Sequence, residues 1–148
     1  MSKISFFMPM VPPEVTAQEH KVTVDKKTGK IRFYDPPELR AAKLQLMDSI
    51  ARNAPDDMRK YIGPVRLVTK WIWPEDSRHP HGYKATRPDT DNLIKMFKDC
   101  MTSLGFWEDD AQVASEITEK FYGSIAGIYV EIIDLGSSGG LKREEGNI

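Results

Sequence analysis

Cysteine is almost absent, with Cys100 standing alone. One thiol excludes an internal disulfide and fits a reducing, intracellular setting, so the expected location is the cytoplasm. Long hydrophobic runs are missing as well. No stretch approaches the roughly 18 apolar residues of a membrane helix. The opening "MSKISFFMPMVPPE" has one lysine and an apolar run broken by Pro9, with no small-residue cleavage site. It reads as a first strand, not a secretory leader. Charge of one sign is lacking too: 21 basic residues face 22 acidic ones, for a net charge of −1. Any nucleic-acid partner must then be held by a local basic patch, because the global field is close to nil.

The chain of 148 residues with 40% hydrophobic content is long enough for one domain with a real core. Residues 4–10 read as a strand. "KVTVDKKTGKIRFY" (21–34) alternates, turns at Thr28-Gly29 and alternates again, the pattern of a hairpin. In "DPPELRAAKLQLMDSIARNAP", Asp35 is a candidate cap with prolines in the opening turn, and Leu39, Ala42, Leu46 and Ile50 recur at helical spacing until Pro55. "PVRLVTKWIW" (64–73) is β-branched and aromatic, hence a strand stopped by Pro74. A second helix is expected over 91–104, followed by two strands around Gly123-Ser124. The pattern predicts an α+β fold over residues 1–135, with a single mixed β-sheet and two main helices. The polar, glycine-rich residues 136–148 read as a flexible C-terminal tail.

Between the predicted strand and the second helix lies "PEDSRHPHGYKATRP" (74–88), long for a connection in a small domain and rich in Pro, His and basic residues. Such loops are functional or disordered. It leads into "RPDTDNLIKMFKDCM" (87–101), where two aspartates stand one residue apart before an apolar helical pattern, and then "GFWEDDAQV" (105–113), which carries a second acidic pair. At 100° per residue, Leu93, Phe97, Cys100 and Leu104 fall within about 60° of one another and form the buried stripe. Asp91, Lys95, Asp99 and Thr102 take the opposite side. Asp91 and Lys95 are one turn apart and face one site. If the backbone is extended across 89–91, Asp89 and Asp91 share a face with their backbones roughly 6–7 Å apart.

Clustered carboxylates repel unless a cation sits between them. Hard oxygen donors with no nearby thiol select Mg²⁺ or Mn²⁺ over zinc. Such a cation polarises a phosphodiester and lowers the pKa of a bound water, while Lys95 would stabilise charge on the phosphorane or leaving oxygen. Arg78, His79, His81, Lys84, Arg87, Lys95 and Lys98 surround the acids in sequence. Acids ringed by bases suit the cutting of nucleic acid, and Lys84 and Arg87, just before the acids, are expected on phosphate. The bland alternative is that Asp89 or Asp91 merely caps a helix and that "EDD" is a solvated turn. Spacing alone does not choose between Asp109 and Asp110.

Residues 87–113 closely resemble the signature of the RusA family of Holliday junction resolvases: an Asp-x-Asp-Asn-Leu-x-Lys run, a further Asp on the same helix, a Gly-hydrophobic turn and an Asp-Asp-x-Gln-Val segment. The following "SEITEKFYG" is similar to the family's next strand. The resemblance implies a RusA-like fold and catalytic, metal-binding aspartates at Asp89, Asp91 and Asp110. It also implies Lys95 as an essential residue near the phosphate, Mg²⁺ as cofactor with Mn²⁺ as a substitute, and a homodimer acting on four-way DNA in a bacterial or phage setting. Asp99 matches a recurrent family acid, but at eight residues beyond Asp91 it stands about 12 Å along the axis and is expected to be structural. The first seventy residues match weakly, with Asp35-Pro36-Pro37 where many members have Thr-Pro.

Further expectations concern individual side chains. Lys98 and Lys120 join Lys84 and Arg87 as expected DNA contacts. His79 and His81 are expected to be merely exposed, Cys100 to be core, and at least one of Trp71 and Trp73 to face inward. Phe106 and Trp107 are expected to pack the helix end in preference to wedging into DNA. Two competing readings keep part of this picture: a nuclease for flaps or forks, and a non-catalytic DNA-binding protein whose acids only cap helices.

Overall fold

The computed structural model describes residues 2–16 and 21–136. The expected tail therefore lies outside the described residues, apart from Gly136. The elements run β1 (Lys3–Pro9), β2 (Lys21–Val24), β3 (Ile31–Tyr34), α1 (Pro37–Asn53), β4 (Val65–Pro74), β5 (Gly82–Tyr83), α2 (Thr90–Ser103), a 3-10 turn (Asp110–Gln112), β6 (Val113–Gly123) and β7 (Gly127–Asp134). Five strands form one mixed sheet in the order β1-β7-β4-β6-β5, and β2 and β3 pair as a separate antiparallel hairpin. The α+β reading with two helices holds. The additions are β5, inside the long loop, and the detachment of the hairpin from the main sheet.

The sheet is organised by β4, which pairs antiparallel with β7 and parallel with β6. Its alternate residues Val65, Leu67, Thr69, Trp71 and Trp73 are all buried. Both tryptophans thus face inward, and the Trp71 indole donates to the buried Thr69 hydroxyl at 2.8 Å, so the polar group carries no desolvation debt. Parallel pairing of β4 and β6 requires a crossover, and α2 is that crossover.

Each helix covers the sheet with the stripe its spacing predicts. Leu39, Ala42, Leu46 and Ile50 of α1 are buried, as are Leu93, Phe97 and Cys100 of α2. Leu104, expected in that stripe, is only partly buried against the core because it lies beyond the last helical turn. Phe97 meets Trp71 edge-on at 5.6 Å, a favoured aromatic geometry. Burial pushes the Cys100 thiol up to about 11, which makes it a core hydrophobe and not a nucleophile. Asp35 does not cap α1: the N-cap is Pro36, and Asp35 instead pairs with Lys43 at 3.1 Å. A proline ring there already sets the helix entry without a side-chain acceptor.

α2 ends in a Schellman motif. Gly105 takes φ +87°, Phe106 N–H donates to the Met101 carbonyl at 3.1 Å, and Gly105 N–H donates to that of Thr102 at 3.0 Å. The reversal sends Phe106 and Trp107 back into the core, 8% and 1% exposed, so neither is free to wedge into DNA.

Gly127, at the start of β7, lies against β1, where a Cβ would meet the Phe7 ring and come within 2.6 Å of the Met8 carbonyl oxygen. Backbone cannot yield as a side-chain tip can. Gly127→Ala is therefore expected to destabilise the fold by about 1–3 kcal/mol through overpacking, measured as a lower urea midpoint with an unchanged slope. An unchanged midpoint would show that β1 can move away from β7 without penalty.

Candidate active site

The strap from Lys84 to Asp89 carries the chain from β5 into α2, and basic side chains hold it in place. Lys120, on β6, donates to the carbonyls of Thr86 at 2.6 Å and Pro88 at 2.7 Å. Lys84 donates to the Thr86 hydroxyl at 2.9 Å and the Tyr122 phenol at 3.0 Å, and its ammonium lies 5.0 Å from the Trp73 ring centre and 4.8 Å from that of Tyr122. Burial lowers the pKa of Lys120, the nearby Lys84 lowers it further, and Asp89 opposes both. Hydrogen bonding with Thr86 and then with Lys84 lowers the phenol pKa of Tyr122.

Three of the four residues expected on DNA have partners within the chain. Lys84 is 8% exposed, with two hydroxyl partners. Lys120 is committed to the strap, and Lys98 to Glu116 at 3.0 Å. The physical reason is shared: each lysine lies beside an acceptor that its neighbours in the chain do not reveal. Arg87 remains exposed at the mouth of the site.

Asp89 is the N-cap of α2, extended as expected (φ −74°, ψ 149°), yet its side chain makes no cap hydrogen bond. Its carboxylate is therefore not explained as a capping group, which weakens the bland reading at this position. Asp91 already belongs to the first turn, where the helix dipole favours an anion, and its Oδ1 accepts from the Asn92 N–H at 3.0 Å. The expected extension across the whole of 89–91 thus stops at Asp89. Both acids and Lys95 are exposed, with Lys95 one turn beyond Asp91.

Asp110 does not join them. Its carboxylate accepts a short hydrogen bond from Thr102, near the other end of α2, and it lies against Asp99. Thr102 is eleven residues past Asp91, or about 16 Å along the helix axis. Among the described residues, no group of three or more His, Cys, Asp and Glu side chains is placed to hold one metal ion. Asp89, Asp91 and Asp110, expected to share one cation, do not form such a group. Asp89 and Asp91 stand at the start of α2, Asp99 near its end meets Asp110 from the 3-10 turn, and Lys95 lies between the two in the helix. In chemistry the first pair suits a hard divalent cation: exposed carboxylate oxygens on a rigid helix end, one of them without its capping bond.

The loop before β6 separates Asp109 from Asp110. Asp109 Oδ1 accepts from Ala111 N–H at 2.9 Å, and Gln112 Oε1 accepts from the backbone N–H groups of Glu108 and Asp109, completing a capping box. Gln112 Nε2 also donates to the Tyr61 and Gly63 carbonyls, both at 3.0 Å. Asp109 is thus a structural cap, while Asp110 is turned toward α2.

A family model described as endodeoxyribonuclease RusA matches residues 11–133. The chain belongs to the RusA family. It is 31% identical over 123 residues to the crossover junction endodeoxyribonuclease rusA of Lactococcus phage r1t, covering 81% of this chain and 90% of that protein. The RusA match takes in both acidic pairs, Lys95 and the strap, and leaves out β1. Among the described residues no helix is long and apolar enough to cross a membrane.

Thr86 and Tyr122 were not singled out from the sequence, and Thr102 only as part of the polar side of α2. Thr102 also accepts from the Trp107 indole at 2.8 Å, so it links the helix end to Asp110. The Asp109-x-x-Gln112 spacing was a legible capping-box signal. Thr86, in the strap, and Tyr122, on β6, meet only through the fold and carried none.

Burial raises the pKa of Asp99, and Asp110 raises it further, against Lys43 and Lys95. Folded Asp99 therefore keeps its proton to higher pH than the unfolded chain does. The stability this provides is present at low pH and lost as pH rises from the ordinary carboxyl range of about 3.9 through the raised value. Asp99→Asn, which cannot ionise, is expected to raise the thermal midpoint at pH 7, with the gain shrinking on acidification toward that range. A pH-independent difference would show that Asp99 and Asp110 do not interact through charge.

Proposed function

We propose that this RusA-family chain is a Mg²⁺-dependent endodeoxyribonuclease that resolves four-way DNA junctions by paired, symmetric phosphodiester hydrolysis. The observation that carries the reading is the pair Asp89 and Asp91 on the exposed N-terminus of α2, with Lys95 one turn on and Arg87 beside them. Family membership supports the same chemistry. Asp89 and Asp91 would hold the cation, which suits Mg²⁺ because that ion takes one or two carboxylates and leaves its other positions to water and phosphate. Mn²⁺ would serve as a substitute. Bound there, the cation supplies a polarised phosphate and a water of lowered pKa.

The chain's own residues do the rest. Arg87, exposed and able to reach a phosphate with two parallel N–H groups, orients the strand. Lys95 stabilises charge gathering on the phosphorane or the departing oxygen. Asp110, paired with Asp99, supplies the second acidic pole beside Lys95 and completes the catalytic set Asp89, Asp91, Lys95 and Asp110. Two matched cuts across a four-way junction call for two sites related by a twofold axis, so the active species is a homodimer. It would work in the cytoplasm of a bacterial cell, encoded by the host or by a phage. Junction preference arises from the geometry of the dimer and its phosphate contacts more than from base edges.

Incubating a mobile four-way junction with the protein and Mg²⁺ is expected to give symmetric nicks, with weaker cutting of flaps and forks at equal concentration. EDTA abolishes them, and Asp91→Asn lowers the rate by about 10²-fold or more. Without metal, Asp91→Asn should bind the junction more tightly, because a charge repelling phosphate has been removed. Absence of nicks with every divalent cation tried would refute the assignment.

A further inference from the structure

Trp73 and Tyr122 are register partners at the carboxyl ends of the parallel strands β4 and β6. Ligands settle beyond this end of parallel strands, where the crossover opens the sheet. Here the two rings line a cleft of about 690 Å³, together with His79, Lys84, Thr86 and Arg87. That volume lies within the roughly 300–1,000 Å³ of small-molecule sites. The His79 ring stacks on Tyr122 with centres 4.7 Å apart and planes 24° apart, which leaves His79, 44% exposed, as the accessible ring of the pair.

Lys84 lies against the Trp73 and Tyr122 rings and is 8% exposed. Its ammonium has three N–H donors. Two are taken by Thr86 and Tyr122, both neutral hydroxyls, and the third has no acceptor among the described residues. Among those residues no carboxylate forms an ion pair with Lys84; of the two acids that also line the cleft, Asp76 accepts from the His79 backbone N–H at 2.8 Å and lies 3.2 Å from its ring nitrogen, and Glu14 is exposed. The ring faces of Trp73 and Tyr122 offset part of the cost of burying this charge. A buried cation surrounded by neutral partners still lacks its anion.

We propose that the cleft receives one nucleotide of the strand being cut, drawn out of the base stack, with its phosphate on Lys84 and its base against the exposed His79 ring that stacks on Tyr122. The strap runs directly from Lys84 to Asp89, so this nucleotide neighbours the scissile phosphate. That placement rests on the proposed cutting site at Asp89 and Asp91. Aromatic faces accept any base, so the pocket selects for an unstacked nucleotide and not for a sequence. A junction centre offers such nucleotides more readily than intact duplex does.

The test is binding in EDTA, which is independent of cleavage. Wild-type protein and Lys84→Gln are compared for affinity to a four-way junction across a salt series. Lys84→Gln is expected to weaken binding about tenfold and to reduce the log–log salt slope by about 0.9, the loss of one phosphate contact. Replacing single phosphates near the junction centre by methylphosphonate should weaken wild-type binding at one position and leave Lys84→Gln insensitive there. An abasic nucleotide at that position should weaken wild-type binding too. An unchanged slope and equal methylphosphonate sensitivity in both proteins would overturn the proposal. If Lys84→Gln fails to fold, the wild-type protein decides: titration with a dT5 oligonucleotide should shift the Trp73 indole N–H resonance and leave that of Trp107 in place. A stationary Trp73 signal would overturn the proposal. Intact cleft binding without any metal-dependent cutting would count against the Asp89–Asp91 reading alone.

Discussion

Two hydrogen bonds from Lys120 to the backbone of the strap decide where the candidate chemistry stands. By gripping the carbonyls of Thr86 and Pro88, the lysine ties the segment before α2 to the sheet through β6. A bond from a charged donor to a partly sheltered carbonyl, as at Pro88, contributes about 1.5–3 kcal/mol, and the exposed bond to Thr86 contributes less. The N-terminus of α2 is thereby held against a paired strand, so Asp89 and Asp91 project from a rigid element in place of a loose loop. Side chains on such elements keep the geometry that phosphoryl chemistry requires.

The cost of this arrangement is visible in the electrostatics. Lys84 and Lys120 repel each other, Asp89 attracts Lys120, and Asp99 faces Asp110 across the other half of α2. A fold selected for stability alone would avoid burying a lysine between two rings or setting two carboxylates side by side. Such clusters of opposed charge mark sites where function has shaped the local energetics. The core beneath them is mostly apolar, with Trp71, Phe97, Leu46 and Met8 closed off from solvent.

Much of the architecture was legible from spacing. The stripe Leu39, Ala42, Leu46 and Ile50 is buried throughout, and the helix over 91–104 is displaced by a single residue at each end, because period and turn chemistry are local properties. Asp35 was misread as a cap because Asp-Pro-Pro offers two equally local solutions and the proline ring took the position. The four expected DNA cations looked alike in the chain, but three of them have partners within the fold that the sequence did not reveal. Asp109 and Asp110 were indistinguishable until the capping box claimed the first and Thr102 the second.

The sequence by itself determined which residues could bury, where helices start and stop, and that acids and bases crowd one helix. Those are consequences of side-chain period and composition over a few turns of chain. Only the tertiary structure decided that α2 separates Asp110 from Asp89 and Asp91, that Thr86 and Tyr122 meet, and that Lys84 turns inward beneath two rings. Each of these depends on strand register and on the length of a helix used as a crossover, which bring together atoms dozens of residues apart.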